Sequence, residues 1–174
     1  MWDKMTPEER RIAIAKDVIE HLDQMNIMSK NAYMQVFEGD FVKNEGTITK
    51  EECSLLRDNC EVCARGALFI SRIDLFNTVD WTDLDLEYYD PEEEEHDLLS
   101  SDITSEKLEG AFSKQDLGLI ESAFEFNRNH GMREECSRFD STNAEYFGLQ
   151  YDNDKDRLRA IMNNIVQNGN FKVK

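Results

Sequence analysis

What the chain lacks narrows its function before anything it contains does. Its longest apolar runs, such as Ala67-Leu68-Phe69-Ile70, are too short to cross a bilayer. The opening MWDKMTPEERR carries no apolar targeting region and leads straight into a helix start, so secretion is not expected. Cysteine is sparse: Cys53, Cys60, Cys63 and Cys136. The first three fall in a stretch of helical character and read as small core residues, which places the chain in a reducing, cytoplasmic setting. Catalytic signatures, internal repeats and long flexible linkers are all missing.

The sharpest absence is of positive charge. Between Arg72 and Lys107 there are thirteen carboxylates and no Lys or Arg. The whole chain of 174 residues has 37 acids and 20 bases, for a formal charge of -17. Setting those thirteen aside leaves 24 acids against 20 bases, so the acidity is local. A negative surface repels nucleic-acid phosphates and anionic membranes, which argues against nonspecific binding to either, so neither direct nucleic-acid binding nor membrane binding is expected. A basic protein surface is the partner class it leaves open.

What is present fits one domain, residues 1–174, with an acidic insertion at 74–106. Ten Phe, five Tyr and two Trp supply a core that a disordered chain would lack. Thr6-Pro7-Glu8-Glu9 has the capping-box pattern with proline at the first helical position, ahead of Ile12, Ala15, Val18, Ile19 and Leu22 at helical spacing. Thr49-Lys50-Glu51-Glu52 and Ser113-Lys114-Gln115-Asp116 repeat the cap before further apolar faces. A helix from about Cys60 to Phe76 is the expected centre of the core, with Gly66 kept for close packing. A short helical or irregular piece is expected over Lys30 to Phe37 and a helical turn over Arg133 to Phe139. The last helix follows Asp154 and stops at Asn168-Gly169. Thr82 to Tyr88 alternates in a strand-like way. The fold class is mainly α: one domain of about five to six helices with a partly extended acidic insertion.

Several short motifs have chemical readings to set beside plain ones. Cys60-Glu61-Val62-Cys63 has the spacing of a redox pair, but no strand is expected beside it and Glu61 would raise a thiol pKa. A zinc site would want a second close pair. Core cysteines are therefore the preferred reading, with a thiol- or metal-dependent enzyme on Cys60 and Cys63 as the alternative. Asp152 to Asp156 opens like a calcium loop, yet Arg157 and Asn163 stand where glycine and a bidentate glutamate belong. Its acids suit the start of a helix instead. His21, His96 and His130 have no local nucleophile. No catalytic residue, cofactor or metal is expected.

The acidic run holds the interaction candidates. Trp81, Tyr88 and Tyr89 are read as apolar anchors, with Asp83, Asp85, Glu87, Glu92, Glu93, Glu94 and Glu95 as the charged rim. Aromatic groups rimmed by carboxylates suit a basic, partly apolar surface, and a fixed carboxylate array can imitate the charge path of nucleic acid. A solvated loop serving solubility is the plain alternative.

Cys63, Gly66, Ala67 and Leu68 form a Cys-x-x-Gly-Ala-Leu pattern. It resembles the core-helix motif of a family of small uncharacterised helical proteins from phages and bacteria. The helix Arg11 to Leu22 and the terminal helix around Asp156 to Met162 look similar in order; the acidic insertion is a departure. The resemblance implies no active site. It implies a phage source, and with it an inhibitor of a host protein acting in the host cytoplasm, as in evasion of host defence. Self-assembly into a homo-oligomer is a further alternative.

Overall fold

The computed structural model describes residues 2–29, 33–36, 46–77, 79–84, 99–125 and 138–173. All three expected capping boxes form. Glu9 N donates to Thr6 Oγ1 at 3.3 Å while Thr6 N donates to Glu9 Oε2 at 2.7 Å, starting α1 (Pro7–His21). The same exchange between Thr49 and Glu52 starts α2 (Lys50–Asn59). These residues compensate backbone N–H groups that a helix end otherwise leaves without partners.

Chain order then gives α3 (Ala64–Phe76), α4 (Ser101–Leu108), α5 (Lys114–Phe124), α6 (Arg138–Gly148) and α7 (Asp154–Asn168). Ser113 and Asp116 box the start of α5. Gly169, at φ 72°, ends α7 in the left-handed region that glycine tolerates best. The domain is mainly α, with seven helices among the described residues, more than the five to six expected.

The expected helix from Cys60 to Phe76 is in fact a strand followed by a helix. β1 (Asn26–Ile27), β2 (Met34–Val36) and β3 (Cys60–Val62) form a small sheet in the order β1-β3-β2. β3 runs parallel to β1 and antiparallel to β2, with Val62 opposite both Ile27 and Met34. Both pairings are distant in sequence, which is why local periodicity misses them. Met34 to Val36 thus replaces part of the expected helical or irregular piece; residues 30–32 and 37 lie outside the described residues. So do 133–137, and α6 begins at Arg138.

α3 is the central helix. Every residue from Ala64 to Ile73 is buried, as expected for a helix surrounded by partners. It packs against α1, α2, α4 and α5, and α1 also packs on α7. Gly66 has the packing role its position implied: a Cβ there would collide with the Tyr33 carbonyl oxygen beside β2. Gly148 does the same job between helices, where a Cβ would strike the Ala123 carbonyl oxygen of α5.

Candidate functional site

The acidic run does not begin or end as a separate insertion. Asp74 belongs to α3, and Asp102 and Glu106 belong to α4. The start of the run is tied to the body. Ile48 N donates to Val79 O and Trp81 N to Gly46 O, both at 2.9 Å. Thr47 Oγ1 donates to Asp80 Oδ1 at 2.7 Å. A single 3-10 turn, Trp81–Asp83, takes the place of the expected alternation at 82–83, capped by Asp80 N donating to Asp83 Oδ2 at 2.9 Å.

Two of the expected partner-binding residues can be placed. Trp81 is only 3% exposed. The Trp81 ring is therefore used by the domain's own core and is not displayed as an anchor, which corrects that reading. Hydrophobic burial explains it, because an indole gains more by joining the core than by facing water. Asp83 forms an ion pair with Lys107, Nζ to Oδ1 2.8 Å. Partial burial pushes its carboxyl up, but the Lys107 hydrogen bond and the Asp80 N–H outweigh that and hold it below its ordinary value. The hydrogen bond to Asp83 correspondingly raises the Lys107 ammonium. Asp85, Glu87, Tyr88, Tyr89 and Glu92 to Glu95 lie outside the described residues, as do His96, His130 and Cys136. The residues flanking this stretch, Leu84 and Leu99, are buried at 4% and 1% exposure.

Cys60 and Cys63 sit where a redox pair would, contrary to the expectation that no strand stands there. Cys60 is on β3 and Cys63 is the residue before the first turn of α3. Such a position lowers a thiol pKa when the sulfur is accessible. Here it is not. Burial pushes the thiols of Cys53, Cys60 and Cys63 up to about 12, although N–H groups of Arg65 and Gly66 act in the opposite direction on Cys63. All three are free thiols buried in the core, and Cys53 Sγ donates to Ile70 O at 3.4 Å.

Buried charge is the feature that the sequence reading did not single out. Arg57 of α2 bridges two acids through Nη2, which is 2.6 Å from Asp74 Oδ2 and 3.4 Å from Asp17 Oδ2. Asp17 also faces His21 one helical turn on, at 3.4 Å from Oδ1 to Nδ1. Burial raises the Asp17 carboxyl above its ordinary value despite Ser71, His21 and Arg57. On the other side of α3, Arg65 Nη2 meets Glu121 Oε2 at 2.9 Å, with both side chains almost fully buried. Its guanidinium also lies 5.5 Å from the Tyr33 ring centre. Arg157 of α7 donates to the carbonyls of Gly148, Phe124 and Tyr151, joining the ends of three segments. It also pairs with Asp154. That contact, with Asn153 capping α7 through Asp156 N at 2.9 Å, assigns the calcium-like acids to the helix start.

Comparison with known proteins finds no matching family model, no matching curated protein and no matching solved structure. None of the described helices is long and apolar enough to cross a membrane.

Proposed function

We propose that the chain is a non-catalytic protein-binding protein that engages a basic protein surface through its acidic run. The observation that carries this reading is the distribution of carboxylates. Eight fall within residues 85–98 with no Lys or Arg among them. The acids that precede them are otherwise engaged: Asp74 with Arg57, Asp80 with Thr47 and Asp83 with Lys107. Counter-ions for Asp74 and Asp83 and a hydroxyl donor for Asp80 are thus provided at the start of the run, and the sequence supplies no Lys or Arg within 85–98.

With Trp81 in the core, Tyr88 and Tyr89 are the aromatic anchors of this proposal, and Asp85, Glu87 and Glu92 to Glu95 steer association. A target whose own ligand is nucleic acid fits the charge, so masking of such a surface in a host protein is the specific form proposed. A phage origin is part of this proposal, and homo-oligomer formation is proposed as an alternative to it. The thiol-enzyme alternative is weakened by the burial and raised pKa of Cys60 and Cys63.

Partner capture from a bacterial lysate at low and at moderate salt tests the reading. A single basic protein recovered at low salt and depleted at moderate salt is expected, because screening weakens exposed charge pairs. A complex indifferent to salt contradicts it.

A further inference from the structure

In the Arg57 cluster two carboxylates, Asp17 and Asp74, share one guanidinium at a site where the acid side chains are 7% and 13% exposed, and His21 and Lys50 are the further basic groups beside them. The other cation near it, Lys50 Nζ, is 3.8 Å from Asp74 Oδ1 on a side chain 71% exposed, a loose contact. A desolvated carboxylate without full compensation is costly, and a proton or a cation removes the cost.

The donors needed for a cation are already gathered. Asp17 and His21 lie one turn apart on α1, and Asp74 approaches from α3; one ligand atom from each lies within 4.8 Å of the others. Arg57 grips Oδ2 of both acids, leaving an oxygen on each carboxylate that it does not hold. An outer partner of this kind fixes the orientation of ligating carboxylates and leaves their charge in place. Ser71 points to the same conclusion independently. It is fully buried beside Asp17, close enough to act on that carboxyl, yet its Oγ makes no hydrogen bond of acceptable geometry. An unsatisfied buried hydroxyl is uncommon and asks for a missing partner.

We propose that Asp17, His21 and Asp74 form a binding site for a divalent first-row metal ion, zinc by preference. One imidazole nitrogen with two carboxylates suits zinc or manganese better than magnesium, which avoids nitrogen ligands. Tetrahedral zinc holds such atoms about 3.4 Å apart at bond lengths of about 2.1 Å. His21 Nδ1 and Asp17 Oδ1 are at that spacing, with Asp74 on the rim, and ligation through Nδ1 takes the place of its present contact with the Asp17 carbonyl oxygen at 3.1 Å. Three protein ligands leave a fourth position for water. The bound ion clips α1 to α3 at the point where α2 already touches both through Arg57. The inference uses Asp74, the first acid of the run, but nothing within 85–98, so either can fail alone.

The test is zinc titration of the chelator-treated full chain by calorimetry, with cobalt absorption as a second readout. One ion per chain is expected, with cobalt bands of oxygen and nitrogen ligation and no sulfur charge-transfer band. His21→Gln is the informative variant: His21 sits at the surface edge of the cluster, and the loss expected is tenfold or more in affinity. Asp74→Asn is read only beside a near-UV spectrum, since it also strips Arg57 of its nearest partner. No saturable uptake, unchanged affinity in H21Q, or a thiolate-to-cobalt band pointing to the cysteines would each overturn the site.

Discussion

Carboxylates serve opposite purposes in the helical body and in the run between Arg72 and Lys107. In the body, Asp17 and Glu121 are buried, and each meets a guanidinium. Within the run, thirteen acids share the sequence with no base, and Asp74, Asp80 and Asp83 find their partners in neighbouring parts of the fold. Charge in the body thus meets buried guanidinium groups, while charge in the run accumulates. Pairing of the first kind holds helices together. Accumulation of the second kind is the feature on which the proposed partner binding rests.

This contrast predicts a ladder of effects. Glu121→Ala leaves the Arg65 guanidinium buried without its partner and should cost about 3–5 kcal/mol, read from urea unfolding. A cost below 1 kcal/mol would mean that the pair contributes little and that the body does not depend on matched charge. Gly148→Ala drives a methyl into the Ala123 carbonyl oxygen and should cost about 1–3 kcal/mol by the same assay, unless α6 shifts.

Lys107→Met removes the partner of Asp83 and should cost about 0.2–1 kcal/mol near neutral pH, since the pair is partly exposed. The sign of its pH dependence is set by Asp83. A carboxyl held below its unfolded value contributes stability above the ordinary carboxylate range and loses it as pH falls through the folded value. The native chain should therefore lose stability on acidification more steeply than K107M over that window; parallel profiles would contradict the pairing. Asp17 acts the other way, because its raised carboxyl favours the folded state most below the unfolded value and loses that advantage as pH rises.

Thiol labelling separates the core from accessible surface without changing the sequence. With pKa values of about 12, Cys53, Cys60 and Cys63 are thiolates in roughly one molecule in 10⁵ at pH 7. They should resist iodoacetamide in the folded chain and react on unfolding, as mapped by mass spectrometry. Rapid native labelling of Cys60 or Cys63 would revive the thiol chemistry that their placement between β3 and α3 resembles.

Legibility in the sequence followed the range of the interaction. Thr6 with Glu9, Thr49 with Glu52 and Ser113 with Asp116 are three-residue arrangements, and each was readable as a helix start. Gly169 was readable as a stop for the same reason. β3 was not, since three residues acquire strand character only by pairing with Asn26–Ile27 and Met34–Val36. α4 was hidden inside the acidic run, although Ser100 caps it through Ile103 N at 3.2 Å. The Asp17–Arg57–Asp74 cluster draws on three helices, and no spacing in the sequence brings them together. A usable signal existed all the same: arginines within apolar helical stretches, Arg57, Arg65 and Arg72, imply buried acids somewhere else in the chain. Trp81 illustrates the opposite error, in which an aromatic among acids looks like a displayed anchor and is in fact core.

The most direct test of the division of labour is one variant in which Asp85, Glu87, Asp90, Glu92 to Glu95 and Asp97 become their amides, compared with the native chain for both stability and partner capture. The account predicts a change in unfolding free energy within about 0.5 kcal/mol, typical of surface positions, together with loss of the captured partner. Substantial destabilisation, or undiminished capture, would show that these carboxylates serve the fold or serve nothing, and would contradict the central claim.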